Sequence, residues 1–149
     1  MTEASRAGPA TTTGADVGPG LSPGSSWAWR PVAAPADVTW RILADTSFWP
    51  RWGPSVRAVE PHSGPVASGQ RGRVRTVIGP WVPFVVDEVD PGRSWRWTVA
   101  GVAVTHHAVE ATGPRSSRVG IGVPRLAFPY LAICRVALGR IARLAEAAT

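Results

Sequence analysis

The chain has 149 residues, 44% of them hydrophobic, which suits one domain with a substantial core and excludes disorder throughout. Its formal charge is +6, and all sixteen basic residues are Arg, with no Lys or Asn anywhere. These arginines are scattered rather than gathered into a basic run, and no groove-reading motif accompanies them, so nucleic acid is not an expected partner.

Residues 1–26 are rich in Gly, Pro, Ser, Thr and Ala. Such a segment buries too little apolar surface to offset its ordering entropy, so a flexible tail is expected there, followed by a single domain over residues 27–149. The N-terminus lacks an apolar run, so no secretory leader is expected. Trp27–Ala33 reads as a first strand, with Pro31 pointing to an edge or bulge. Pro35 then marks a helix start. Val38, Ile42 and Thr46 recur at four-residue steps, with Trp40 and Leu43 as a second apolar row, which predicts a helix following Pro35. The stretch Phe48–Pro54, FWPRWGP, allows one more helical turn before Pro54 ends it.

The pattern then changes to period two. Strands are predicted over Ser55–Glu60, Gln70–Ile78, Trp81–Val89, Ser94–Val99, Val102–Ala111 and Arg118–Val123, separated by Pro- and Gly-rich turns such as Asp90-Pro91-Gly92. In the second of these, Arg71, Arg73 and Arg75 share one face, and Val74, Thr76 and Ile78 the other; Asp87 on the next strand is a candidate partner for the arginines. Leu126–Ala148 ends the chain as an amphipathic helix, with Leu131, Cys134, Leu138, Ile141 and Ala145 on one stripe and Pro129 at its start or at a kink. The order is α+β: seven strands forming an antiparallel sheet, two short helices after the first strand, and a long helix covering one sheet face. Val119–Leu138 is interrupted by Pro124, Arg125, Pro129 and Arg135, so no membrane span is expected.

Five stretches in this order carry a likeness. Ala34–Trp40, the segment from Ala44-Asp45 to Phe48–Trp52, Gly69–Gly72, Glu88–Trp97, and the span from His107 to Val119 resemble successive motifs of the START-like SRPBCC superfamily, the polyketide cyclase/dehydrase-like proteins. The likeness runs from about Trp27 to Ala148. It implies a helix-grip fold, in which a seven-stranded sheet wraps a long C-terminal helix around a cavity for apolar small molecules. Fold alone implies a pocket and not a reaction.

The residues supply candidates for that pocket. His106 and His107 are neighbours on a strand and point to opposite faces, so they do not form a facing pair for one metal. Glu110 shares the His106 face and wants water, which places His107 inward. There it serves as a hydrogen-bonding or proton-moving group, or as a histidine satisfied by its neighbours. His62, beside a turn, is expected to face solvent. Cys134 is alone, which excludes an internal disulfide and a Cys-based metal centre, fits a cytoplasmic setting, and reads as a small buried hydrophobe. Arg135 lies beside the apolar stripe, either holding an anionic group or snorkelling to water. The expected lining is Trp49, Phe84, Trp95, Trp97, His107, Tyr130, Leu131, Cys134, Arg135 and Leu138, with no cofactor and no metal. Trp52 is expected to pin the turn after the first helix, with Trp49 edging the cavity mouth. The leading expectation is a binder of an apolar or aromatic small molecule. The alternative is a polyketide cyclase- or dehydratase-like enzyme with His107 and Arg135 as catalytic candidates. A third reading makes the Arg71/Arg73/Arg75 ladder a contact surface for a partner.

Overall fold

The computed structural model describes residues 24–149. The expected flexible tail falls mainly on residues 1–23, outside the described residues. The first strand, β1, spans Ser25–Val32, so regular structure starts two residues before the expected boundary. The helix α1 follows over Ala36–Ala44, then a 3₁₀ turn at Thr46–Phe48 and the short α2 at Trp49–Trp52. Strands β2 (Val56–Glu60), β3 (Arg71–Thr76), β4 (Trp81–Asp90), β5 (Ser94–Val99), β6 (Val102–Gly113) and β7 (Ser116–Pro124) come next. A 3₁₀ segment at Arg125–Tyr130 leads into α3, Leu131–Ala147. The seven strands form one antiparallel sheet in the order β1-β7-β6-β5-β4-β3-β2, with α3 packed on β1 and β7 and touching α1 and α2. The expected α+β helix-grip architecture is therefore present.

Local chemistry explains the elements. Pro35, in an extended conformation, is the N-cap of α1, and its carbonyl accepts from Thr39 N at 3.1 Å. Past the other end of α1 the chain turns through Asp45. Its carboxylate accepts from Ser47 N, Ser47 Oγ and Gly64 N at 2.9, 2.7 and 3.2 Å. Burial raises the Asp45 pKa, but these hydrogen bonds outweigh it and hold the carboxyl below its ordinary value.

The two tryptophans of FWPRWGP then close α1. A helix leaves its last four carbonyls without helical partners. The Trp52 indole N–H donates to Ile42 O at 2.9 Å and the Trp49 indole N–H to Leu43 O at 3.2 Å. Both rings are buried, so the pair caps a helix end and fills core together.

Three details differ from the sequence expectation. The chain from Arg125 to Tyr130 is 3₁₀ rather than α-helical, because Pro129 and a non-helical Ala127 interrupt it, and none of its residues is buried. Strand β3 stops at Thr76, so Ile78 sits in a turn and is 92% exposed instead of facing the core. Finally, Asp87 accepts from Thr98 Oγ1 at 2.7 Å, and Arg73 pairs instead with Glu60 across β2, at 2.7 Å, with its guanidinium over the Trp81 ring. The register explains this, since Glu60 lies opposite Arg73 while Pro83 is its β4 neighbour.

Candidate functional site

The interior between sheet and helices is dominated by rings. Trp49 from α2 stacks on Trp95 from β5, with centroids 4.9 Å apart and planes 8° apart. Trp95 in turn stacks on His107 from β6, at 3.8 Å and 16°. Trp97 and Phe84 meet Trp49 edge-on or tilted, at 5.1 and 5.6 Å. The Phe84 ring lies over Gly72, where a Cβ would sit 2.4 Å from both the ring and Glu60 O. Each favourable ring pair adds roughly 0.5–1.5 kcal/mol beyond its buried area, so this stack is a major part of core stability.

A chain of polar groups crosses the stack. The Trp97 indole N–H donates to Thr105 Oγ1 at 2.8 Å, and Thr105 Oγ1 lies 3.1 Å from His107 Nε2. With one proton and two lone pairs, the Thr105 hydroxyl accepts from Trp97 and bonds His107 Nε2 in either imidazole tautomer. Nδ1 makes no well-aligned hydrogen bond, and neither does the Trp95 indole N–H. His107 is 2% exposed. Burial pushes its pKa down to about 3, with the Trp95 backbone opposing that only partly and His106 adding to it. The imidazole is therefore neutral at physiological pH.

Beside this chain lies a cavity of about 60 Å³ between β5, β6, β7, α2 and the first turns of α3. Trp49, Trp97, His107, Tyr130 and Cys134 line it, together with Trp52, Thr105 and Ile133. That volume is about two waters' share of liquid, far below the roughly 300–1,000 Å³ of a typical ligand pocket. The other expected lining residues lie elsewhere. Phe84, Trp95 and Leu138 are buried in solid core, and Leu131 packs half-buried against it. Arg135 is exposed on α3 and does not reach the cavity. The helix meets the cavity through Tyr130, Ile133, Cys134 and Ala137, a row displaced by one residue from the Leu131–Leu138 stripe. The three- and four-residue spacing of that row was a usable signal. So was the shared parity of Thr105 and His107.

Cys134 adds no nucleophile, because burial raises its thiol to about 11. Tyr130 is on the rim, its hydroxyl 3.2 Å from Ser55 Oγ. Among the described residues no group of His, Cys, Asp and Glu is placed to hold a metal, and no helix is long and apolar enough to cross a membrane.

A larger hollow of about 740 Å³ runs by the β4–β5 turn and over the outer face of the sheet, and reaches the inward residues Trp95 and Val109. Two of its rings, Trp27 and Trp29, rest on Gly122 and Gly120, where a Cβ would meet them at 2.4 and 2.6 Å. Of its charged residues, Glu88 and Arg96 pair with each other at 3.0 Å, and Glu110 pairs with Arg118. Because most of its rings and charges already have structural partners, the cavity beside His107, with its apolar walls and one short polar chain, is the better candidate site.

Solved structures share this arrangement. The aromatase/cyclase ZhuI from Streptomyces sp. R1128 is 17% identical with a TM-score of 0.62, covering 82% of this chain and 93% of its own. Protein NE0264 from Nitrosomonas europaea is 13% identical with a TM-score of 0.61, covering 84% and 96%. DynU16, a protein of the dynemicin biosynthetic locus, is 21% identical with a TM-score of 0.60 over 83% of this chain. The match spans about half of DynU16, 47% of its length. At these identities the likeness shows the fold alone. No curated protein matches the sequence significantly. A family model described as polyketide cyclase/dehydrase and lipid transport matches residues 28–145, and the chain belongs to that family.

Proposed function

We propose that this protein binds a small apolar or aromatic molecule between the sheet and α3, without acid–base chemistry of its own. The observation that carries this reading is the composition of the interior cavity. Its walls are aromatic and aliphatic, and its polar interior groups form one short chain, Trp97–Thr105–His107. An apolar pocket with one fixed polar group is how a protein orients a lipophile bearing a single oxygen or nitrogen. His107, held neutral down to about pH 3, has no proton to give as an imidazolium and little basicity. It serves as a hydrogen-bonding post.

The cleft of about 60 Å³, open at its Ser55–Tyr130–Ile133 rim, is then the narrow, unliganded form. The part of the wall that can yield is the 3₁₀ segment Arg125–Tyr130, which buries no residue, contains Pro129 and carries Tyr130 at the rim. Its outward displacement opens the pocket beneath α3 while the ring stack stays in place.

Titration of aromatic lipophiles into the protein, followed by tryptophan fluorescence, tests the reading. Binding should quench Trp52 and Trp97 and weaken at least about tenfold in Thr105→Val and His107→Phe, the loss of one buried hydrogen bond. A panel with no binder, or binding indifferent to both substitutions, overturns it.

A second reading, a cyclase acting on a poly-keto substrate, is supported by the family description and by the shared fold of ZhuI, an aromatase/cyclase. It needs a group that moves protons. A substrate turned over by wild type and not by His107→Phe would favour it over simple binding.

A further inference from the structure

Eight large hydrophobic side chains are exposed among the described residues, and they fall on three segments. Val77 and Ile78 form the β3–β4 turn, Val102 follows the β5–β6 turn, and Leu126 to Val136 covers the 3₁₀ segment and the start of α3. Alternate connections of an antiparallel meander lie at the same end of its sheet, and β7 also exits there. All eight therefore gather at one end of the molecule. Ile78 and Leu126 project furthest, at 92% and 97% exposed. Two bonds tie the segments together: Val77 N donates to Ser55 O at 3.3 Å, and Ser55 Oγ lies 3.2 Å from the Tyr130 hydroxyl.

Charge is segregated in the same way. Residues 54–57, 74–82, 97–105 and 121–136, which build this end, contain Arg57, Arg75, Arg125 and Arg135 but no Asp or Glu. All four arginines are exposed, and none takes part in an ion pair among the described residues. Acidic residues such as Glu60, Asp90 and Glu110 sit towards the opposite end, where β2–β3, β4–β5 and β6–β7 connect.

We propose that this end docks on the surface of an anionic lipid bilayer. Contiguous exposed apolar side chains mark an interaction surface. Arginines around them attract lipid phosphates and carboxylates, and the absence of acidic residues among the described residues of this end removes the opposing repulsion. The two most exposed groups, Ile78 and Leu126, stand on different elements, the β3–β4 turn and the 3₁₀ segment, and a deformable bilayer can receive both at once. Tyr130, Ile133 and Ser55 belong both to this end and to the rim of the interior cavity, so docking sets the cavity mouth against the membrane. Passage of a lipophile between the two rests on the ligand-binding reading above; the docking itself does not.

Co-sedimentation of the full chain with phosphatidylcholine vesicles, with and without phosphatidylserine, tests the proposal. The protein should sediment with the phosphatidylserine vesicles, and raised salt should release it. The double variant L126D/F128D should bind about tenfold more weakly, as should I78D on a separate element, and R125E/R135E should lose the preference for phosphatidylserine. Near-UV circular dichroism checks that each variant is folded; these positions are exposed, so a native spectrum is expected. Absence of sedimentation with phosphatidylserine vesicles, or sedimentation unchanged by both L126D/F128D and I78D, overturns the proposal. Self-association abolished by L126D/F128D, with no vesicle binding, would assign the face to a second copy and overturn it too. Fluorescence titration with lipophiles reads the interior cavity independently, so the two inferences fail separately.

Discussion

His107 makes a quantitative prediction about acid stability. Its pKa falls from 6.5 to about 3 because the folded interior strips water from the charged form. The unfolded chain therefore binds a proton in a pH range where the folded chain does not. The stability from keeping His107 neutral is fully present above pH 6.5 and is lost as pH falls from there towards 3, by as much as about 1.4 kcal/mol per pH unit. Between pH 7.5 and 4.5 the loss assigned to this residue is about 3 kcal/mol. His107→Phe keeps a flat ring against Trp95 and removes the titrating group. Urea denaturation of both proteins at several pH values, read by tryptophan fluorescence, isolates this contribution, since the carboxylates are common to both. The difference in stability between wild type and His107→Phe should shift by about 3 kcal/mol towards the variant on acidification. A difference constant within about 0.5 kcal/mol would mean that His107 is protonated or solvated in the folded state, and the account of a neutral buried imidazole would be wrong.

Other consequences are simpler. Trp52→Phe keeps the ring but leaves Ile42 O without its donor, so chemical denaturation should show a loss of about 1–3 kcal/mol. Gly72→Ala should destabilise by about 1–3 kcal/mol, because the new methyl meets the Phe84 ring on one side and the Glu60 carbonyl on the other. Tyr130→Phe removes an exposed hydroxyl contact with Ser55 and should change stability by less than about 0.5 kcal/mol. The Cys134 thiol, with its pKa raised to about 11, should react slowly with a disulfide reagent at pH 8 in the native protein and rapidly in urea.

Much of the architecture was legible because periodicity reports it directly. The alternation in Gln70–Arg75 and Ser94–Val99, and the turn residues between strands, placed all seven strands, and the stripe through Cys134 and Ile141 placed the long helix. The inward orientation of His107 followed from parity and from the need of Glu110 for water. What escaped was set by contacts distant in sequence. Nothing local reveals that Trp49 and Trp52 donate to Leu43 and Ile42 carbonyls, or that Trp49, Trp95 and His107 stack face to face and fill the space expected to be hollow. The expected stripe does face the core, with Cys134, Leu138, Ile141 and Ala145 buried, but the cleft lies to one side of it and meets the helix at Ile133, Cys134 and Ala137, a position set by α2 and β2 packing beside α3. Arg135, one position past the buried Cys134, falls on the solvent side of that helix. The partner of Arg73 depended on strand register, which the pattern of one strand does not specify.

The central claim is that the narrow cavity beside His107 is a ligand site. Native mass spectrometry of the protein purified from its own host tests it most directly, with Cys134→Phe as the comparison, a substitution that fills the cavity from α3. The account predicts a bound apolar species as a mass increment on wild type, absent from Cys134→Phe. Wild type carrying no increment and binding no member of a lipophile panel, or an increment retained undiminished in Cys134→Phe, would contradict it.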